Sequence, residues 1–506
     1  MRFIKRILTI GVFVAISNSC GEDAVSLLPP EPSSDEYYQN QEEFQASVFG
    51  IYQKLQNFYA FNGNGGWIHG MWLLPDDNAT MKQNNSLNNF VDIQTTNRSV
   101  VDYYGYSYEL INRANVVLER IEAQGEVYED EELRSYHRGE ALFLRGYTYF
   151  NLWQFFETAP LTQSTFDGVE EATNQTNSSG MELLNVAVED LTTAAGLLPP
   201  NWSEADLGRV TAGAANGMLG KILTYRGIID GNVTDLTQAI EAFNRITGYT
   251  LVEDYGANFD EAQENNAESL FEVQFSRNVA ENNFWLSADE TAGNGDLGGL
   301  WAFFEGDNNT GGPAGRFYAT QGLDDAFAEA DPRISESYEA DSSFHILKYV
   351  NRGNASERLG SWNNARILRY ADVLLMKAWA IVESGGNLSE AIELVNQVRT
   401  RARNFGEDGN MIPADYSTAE ADPNVVRQWV INERRTELAF EESHRWFDMR
   451  ALYKTSRLDM TEADYNFGDP VNPGNSLGYD FDSFEIVFPL PNGEVETTAL
   501  NQNDGY

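Results

Sequence analysis

The sequence predicts a mostly helical protein, a superhelix of irregular helix pairs interrupted by long insertions. Three observations carry that expectation. Amphipathic stretches recur along most of the chain with apolar residues three and four positions apart. Two of them form matched pairs around a Gly-bearing turn, Val210–Thr247 and Ala365–Ala402. Each pair spans close to the 34-residue helix-turn-helix period of tetratricopeptide repeats. Between the periodic stretches lie long Gly-, Asn-, Asp- and aromatic-rich segments without helical period, so the repeats form a solenoid with insertions.

The chain opens with MRFIKRILTIGVFVAISNSC. Arg2, Lys5 and Arg6 precede a short apolar run, Ile7 to Ile16, too short to cross a bilayer, which reads as a secretory signal over residues 1–19. Cys20, the only cysteine, follows directly and cannot serve a disulfide within the chain, so it is read as a lipidation site, although Ser17 stands where the usual lipobox has Leu. Acyl chains at Cys20 would anchor the protein without a spanning helix. Residues 20–36, acidic and proline-bearing, read as a surface tether, and 37–506 as one domain.

Within that domain the helix-pair units fall at about 37–124, 137–197, 210–248 and 364–404. In the first, YSYELINRANVVLERIEAQG carries the helical pattern; in the second, HRGEALFLRGYTYFNLWQFF stops near Pro160, and GMELLNVAVEDLTTAAGLLPP ends at Gly196 with prolines beyond. SLFEVQFS (Ser269–Ser276) and FEIVFPLP (Phe484–Pro491) alternate apolar and polar residues as short strands do. The insertions at about 57–105 and 277–345 are where a ligand face is expected, because long irregular segments in a compact domain are usually functional.

Composition excludes several classes. With 42% hydrophobic residues the chain can bury a large core, so wholesale disorder is ruled out. A balance of 34 basic against 77 acidic residues, net −43, repels phosphate backbones, so no nucleic acid is expected as a partner. One cysteine and four histidines argue against Cys- or His-based metal sites. No cofactor is called for, and a structural calcium stays open.

The densest chemistry lies in NERRTELAFEESHRWFDMR, Asn432 to Arg450. On a continuous helix Glu433, Glu437 and Glu441 would recur every four residues, and Glu441-x-x-His444 matches half of a di-iron carboxylate site. No second Glu-x-x-His exists in the chain. The stretch is therefore read as structural wiring: Arg434, Arg435 and Arg445 pair with glutamates while Trp429, Leu438, Phe440, Trp446 and Phe447 face a core. No catalytic residue is assigned.

INERRTELAFEESHRWFDMRAL also resembles the C-terminal signature of the RagB/SusD family, the glycan-binding outer-membrane lipoproteins of Gram-negative nutrient-uptake systems. LRGYTYFNLWQFF followed by Ala159-Pro160-Leu161, GRVTAGAANGMLGKILTYRG, SLFEVQF, RYADVLLMKAWA, AIELVNQVRTRA and the ending FPLPNGEVETTALNQNDGY fall in that family's order. Glu157-Thr158 replace its usual Gly-Asp-like turn. The resemblance implies a SusD-like α-superhelix of four irregular tetratricopeptide-like units with a variable ligand face. It implies as partner a TonB-dependent SusC-like outer-membrane transporter, on which the lipoprotein sits as a lid. Gly21-Glu22-Asp23 after Cys20 are similar to the signal that sends such lipoproteins to the cell surface.

For a glycan ligand, aromatic rings stack on C–H faces while amides and carboxylates bond hydroxyls. Among ten tryptophans, Trp153, Trp379, Trp429 and Trp446 lie on helical patterns and are assigned to the core. Trp67, Trp72, Trp285 and Trp301 lie in the irregular insertions, beside Phe284, His69, Asp76, Asp77 and Asn78. The expected glycan contacts are Trp67, Trp72, Trp285, Trp301, Asp77 and Asn78. No Lys or Arg occurs from Leu55 to Met81 or from Asn278 to Gly315, which favours a neutral glycan, with a β-glucan such as laminarin as the specific choice. Spatially adjacent basic residues from elsewhere, such as Arg98 or Arg316, would overturn this. The competing readings are a surface glycoside hydrolase, which needs two carboxylates facing across a cleft, and a peptide-binding uptake lipoprotein.

Overall fold

The computed structural model describes residues 37–59, 70–81, 85–275, 317–340, 344–349, 363–406, 409–460 and 480–506. Ten longer helices order the described chain: α1 (Gln41–Gln56), α2 (Arg98–Gln124), α3 (Glu131–Phe156), α4 (Glu182–Leu197), α5 (Ala212–Asp230), α6 (Val233–Asn244), α7 (Tyr370–Glu383), α8 (Leu388–Phe405), α9 (Pro423–Glu437) and α10 (His444–Lys454). Each of α1 to α9 packs on the next, so that α1–α2, α3–α4, α5–α6 and α7–α8 are pairs stacked in chain order, and α10 docks on α5 and α9.

Local chemistry sets these boundaries. Asn97 caps α2, its side chain accepting from the Ser99 amide at 3.0 Å, which starts the helix eight residues before the irregular character of 57–105 was expected to end. Asp130 caps α3 in the same way, and Asn232 caps α6 directly after Gly231 closes α5 in the left-handed conformation. Small residues let α5 sit deep: a Cβ on Gly220 would lie 2.6 Å from the Phe243 ring of α6, so glycine is required there for the close approach. Trp153, Trp379 and Trp446 are buried in the core, as their helical spacing indicated, and Trp429 stacks on Tyr416 with ring centroids 4.3 Å apart.

Two small antiparallel sheets tie distant segments together: β1 (Ala79–Met81) pairs with β3 (Phe317–Ala319), and β2 (Ser269–Val273) with β4 (Ala365–Arg369). Two sequence expectations are corrected. Ala365–Arg369 opens the matched helix pair expected at Ala365–Ala402; instead the segment is strand β4, and its two arginines are buried against Glu272 and Glu268 on or beside β2. Phe484–Pro491 looked like a strand, yet it opens with a 3-10 turn, Ser483–Ile486, held by a capping box between Asp482 and Glu485. That Asp-x-x-Glu signal outweighed the apolar alternation. No helix among the described residues is long and apolar enough to cross a membrane.

Candidate functional site

The stretch Asn432–Arg450 is not one continuous helix. Helix α9 ends at Glu437, and the turn that follows places Phe440, Glu442 and Ser443 at positive φ (65°, 45° and 56°) before α10 begins at His444. Three non-glycine residues in that region within one turn persist only where surroundings over-determine them. The surroundings are two buried ionic networks.

In the first, Arg369 of β4 donates to Glu441 through Nε (2.7 Å) and NH2 (3.0 Å) and to Glu268 and Glu437 through NH1 (2.7 and 2.6 Å). Arg333 bridges Glu433, Glu437 and Asp331, Arg401 joins Glu268 and Glu437, and Lys348 donates to Glu441 at 2.8 Å. Burial alone would raise the Glu437 carboxyl, but Arg401, Arg369 and Arg333 hold it well below the usual carboxylate range. Burial lowers the Lys348 ammonium to about 8 against the pull of Glu441.

The second network joins α5, α7, α9 and α10. Lys221 Nζ lies 2.7 Å from His444 Nδ1 and 2.8 Å from Asp372, and Arg434 donates to Asp372 and, at 2.8 Å, to Asp448. Burial, reinforced by Lys221, pushes the His444 imidazole well below its usual range, so it is neutral. Glu441 and His444 therefore serve different networks instead of sharing one ion. Among the described residues no group of three His, Cys, Asp or Glu side chains is arranged to hold a metal. One expectation needs correction: among the described residues Arg434, Arg435 and Arg445 form ion pairs with aspartates (Asp372 and Asp448, then Asp77 for both others) where glutamates were expected.

Between the networks sits Glu442, whose carboxylate accepts from Tyr59 Oη at 2.5 Å and Tyr147 Oη at 3.1 Å; burial pushes it up to about 8. Tyr59 leads outward. Its ring lies 5.2 Å from Trp72 and 6.3 Å from Phe275, and the Phe275 amide donates to Asn364 Oδ1 at 2.7 Å. Pairing of β1 with β3 brings Met81 against Phe317, while Tyr59, Phe275 and Asn364 meet as a second group. Strands β1 and β3 join the described parts of the two insertions singled out from the sequence.

The expected glycan residues divide. Trp67, Trp285 and Trp301 lie outside the described residues, as does Cys20. Trp72 is 4% exposed, packed against Phe58, Tyr59 and Tyr103, and offers no free face for stacking. Asp77 is bound by Arg445 (Nε at 2.6 Å, NH2 at 2.9 Å) and by Arg435, and Asn78 Oδ1 accepts from Arg435 Nε at 2.9 Å. Both are buried. Trp72, Asp77 and Asn78 are therefore buried and engaged within the protein, in contrast to the exposed loop positions expected for them. Asp76 turns the bend, accepting from the Asn78 and Ala79 amides, and burial with Asp77 nearby raises its carboxyl to about 7. Arg98 is engaged by Asp102 at 2.7 Å.

Sequence reasoning missed two clefts. One, of about 450 Å³, lies between α1 and the Ala205–Arg209 loop, lined by Phe49, Tyr52 and Leu207. The other, of about 1050 Å³, lies between the Tyr249–Glu253 segment and α8. Its signal was present in the sequence: Glu393, Asn396, Gln397, Thr400 and Asn404 form a polar stripe at helical spacing, which reads equally well as a solvated face.

Comparison with known proteins agrees with this architecture. A model described as the SusD family matches residues 300–506, and one described as starch-binding and associating with the outer membrane matches 49–223. SusD-like protein P2 of Formosa agariphila is 25% identical over 521 residues, covering 96% of each chain. The crystal structure of a SusD superfamily protein from Bacteroides vulgatus superposes with a TM-score of 0.71 at 25% identity, over 93% of this chain and all of that one. A structure titled a laminarin-binding SusD-like protein superposes at 0.70 with 22% identity, over 93% of this chain and 100% of its own. Helix pairs in series, the buried wiring of the C-terminal signature and family matches in both halves of the sequence lead to one assignment: the chain belongs to the SusD/RagB family of outer-membrane-associated glycan-binding proteins.

Proposed function

We propose that this protein is a non-catalytic, cell-surface lipoprotein that captures a neutral oligo- or polysaccharide and hands it to a TonB-dependent SusC-like transporter. The observation that carries the reading is the fate of the charges near the expected ligand end. Arg435 and Arg445, the cations that reach the Asp76–Asn78 bend, are both taken up by Asp77. No Lys or Arg occurs in 55–81 or 278–315. Paired cations at the bend and cation-free stretches bounded by Lys82, Arg277 and Arg316 suit hydroxyls and ring stacking better than sulfated or uronic chains. The laminarin named for one structural neighbour supports a β-glucan as the first ligand to try.

Trp67, Trp285 and Trp301 are proposed as the stacking residues, supported from beneath by Trp72, Asp77 and Asn78. In the signature stretch Glu433, Glu437 and Glu441 are engaged by buried arginines and Lys348, and Glu442 by the Tyr59 and Tyr147 hydroxyls, which supports binding without hydrolysis. Retention of the purified chain in gels containing laminarin, starch or xylan tests the reading, alongside a reducing-sugar assay on the same glycans. Retention without new reducing ends is expected. Release of reducing ends would favour the hydrolase alternative, and binding only to peptides the third reading.

A further inference from the structure

The cleft between the Tyr249–Glu253 segment and α8 is lined by Tyr249, Tyr370, Asn396, Gln397, Thr400 and Asn404 over a floor formed by Arg401. Strand β4 runs between its Tyr370 and Asn364, the residue that meets Phe275. Its walls are fixed. Tyr249 Oη is held by Thr211 Oγ1 at 2.8 Å, and Asn396 is clamped by two hydrogen bonds to the Tyr416 backbone, at 2.9 and 2.8 Å. Arg401 is 6% exposed and gives its terminal nitrogens to Glu268, Glu437 and the Val252 carbonyl. The floor therefore has no free positive charge, and the charged rim is acidic: Glu253, Glu393 and an Asp415 already bound to Arg403. An anionic ligand is disfavoured on both counts.

The unused groups point to a different chemistry. The Gln397 and Asn404 amides, the Tyr370 hydroxyl and the Glu253 carboxylate have no side-chain partner among the described residues. Amides that both donate and accept, a carboxylate that accepts and half-buried phenol rings match vicinal hydroxyls beside C–H faces. A volume of about 1050 Å³ stands at the upper end of ligand clefts, enough for an extended chain rather than a single small molecule. We propose that this cleft is a second carbohydrate subsite, taking a neutral, hydroxyl-rich oligosaccharide chain. The proposal rests on the glycan-binding reading above and adds to it a location on the helical-repeat side.

The test uses the full chain in detergent and a panel of neutral hexasaccharides: β-1,3-glucan, α-1,4-glucan, xylan and mannan. Isothermal titration counts ligands per chain, and hydrogen-exchange mass spectrometry reports protection at 249–253 and 393–404. Gln397→Ala/Asn404→Ala changes two exposed side chains and should fold normally; Tyr370→Ala probes stacking. Two oligosaccharides per wild-type chain, one in the double variant, and cleft protection lost with it are the expected result. Glycan binding with unchanged stoichiometry in the double variant and no protection at the cleft would overturn the subsite while leaving the glycan-binding reading standing. No heat and no protection anywhere with the whole panel would overturn both.

Discussion

Arg369 holds Glu441 through two nitrogens, Nε at 2.7 Å and NH2 at 3.0 Å, with both side chains almost wholly removed from solvent. The pair joins strand β4 to the turn between α9 and α10, so a conspicuous acidic residue of the sequence closes the fold. Removing one partner strands the other charge in the interior, which costs about 3–5 kcal/mol. Glu441→Gln and Arg369→Ala should therefore lower the denaturation midpoint sharply, with His444→Ala following to a smaller extent. Glycan affinity of the folded fraction should be unchanged. Lost binding at an unchanged melting temperature would mean that the turn contacts ligand.

Stability should also depend on pH in two opposite senses. Glu442 is raised to about 8 and Asp76 to about 7, so folding binds protons there and stability falls as pH rises from about 4.5 to about 8. Glu437 and Asp372 are held low by their arginine and lysine partners, so their contribution is present above the ordinary carboxylate range and is lost as pH falls through it. Glu442→Gln keeps an acceptor for the Tyr59 hydroxyl and should flatten the alkaline limb in urea denaturation measured from pH 5 to 9. An unchanged alkaline slope would show that Glu442 is not protonated in the folded protein.

Tryptophan variants separate base from platform. Trp72→Ala removes a buried ring packed on three aromatics and should cost about 3–5 kcal/mol of stability. Trp67→Ala, Trp285→Ala and Trp301→Ala should each leave the melting temperature within a few degrees and weaken glycan binding several-fold, the loss of about 1 kcal/mol of stacking. Full affinity in all three would move the ligand face elsewhere.

Cys20→Ala should shift the protein from the membrane fraction to the soluble fraction after cell lysis. Retention of the variant after a salt wash would refute lipid anchoring.

How much of this was legible depended on range. Helix pairs could be read because their signals are local: the Asn232 cap beside Gly231, or the apolar stripe of α8 through Ile392, Val395 and Val398. The role of Glu441 as wiring was legible by elimination, since no second Glu-x-x-His exists, but its partners Arg369 and Lys348 lie some 70 to 90 positions away and could not be named. Strand β4 was misread for the same reason, since its pairing with β2 is non-local. Trp72 shows the limit most clearly. Its glycine-rich neighbourhood looked like an exposed loop, yet a four-residue helix, Gly70–Leu73, turns the ring into the aromatic cluster of Phe58, Tyr59 and Tyr103.

Affinity electrophoresis of the purified chain through laminarin, at low and at moderate salt, with a reducing-sugar assay on the same mixture, tests the central claim most directly. A neutral glycan held by stacking and hydroxyl contacts leaves no ion pair for salt to screen. The expected result is equal retardation at both salt concentrations, with no new reducing ends. Migration identical to that in a glycan-free gel for laminarin and every other neutral polysaccharide, or retardation that vanishes as salt is raised, would contradict it.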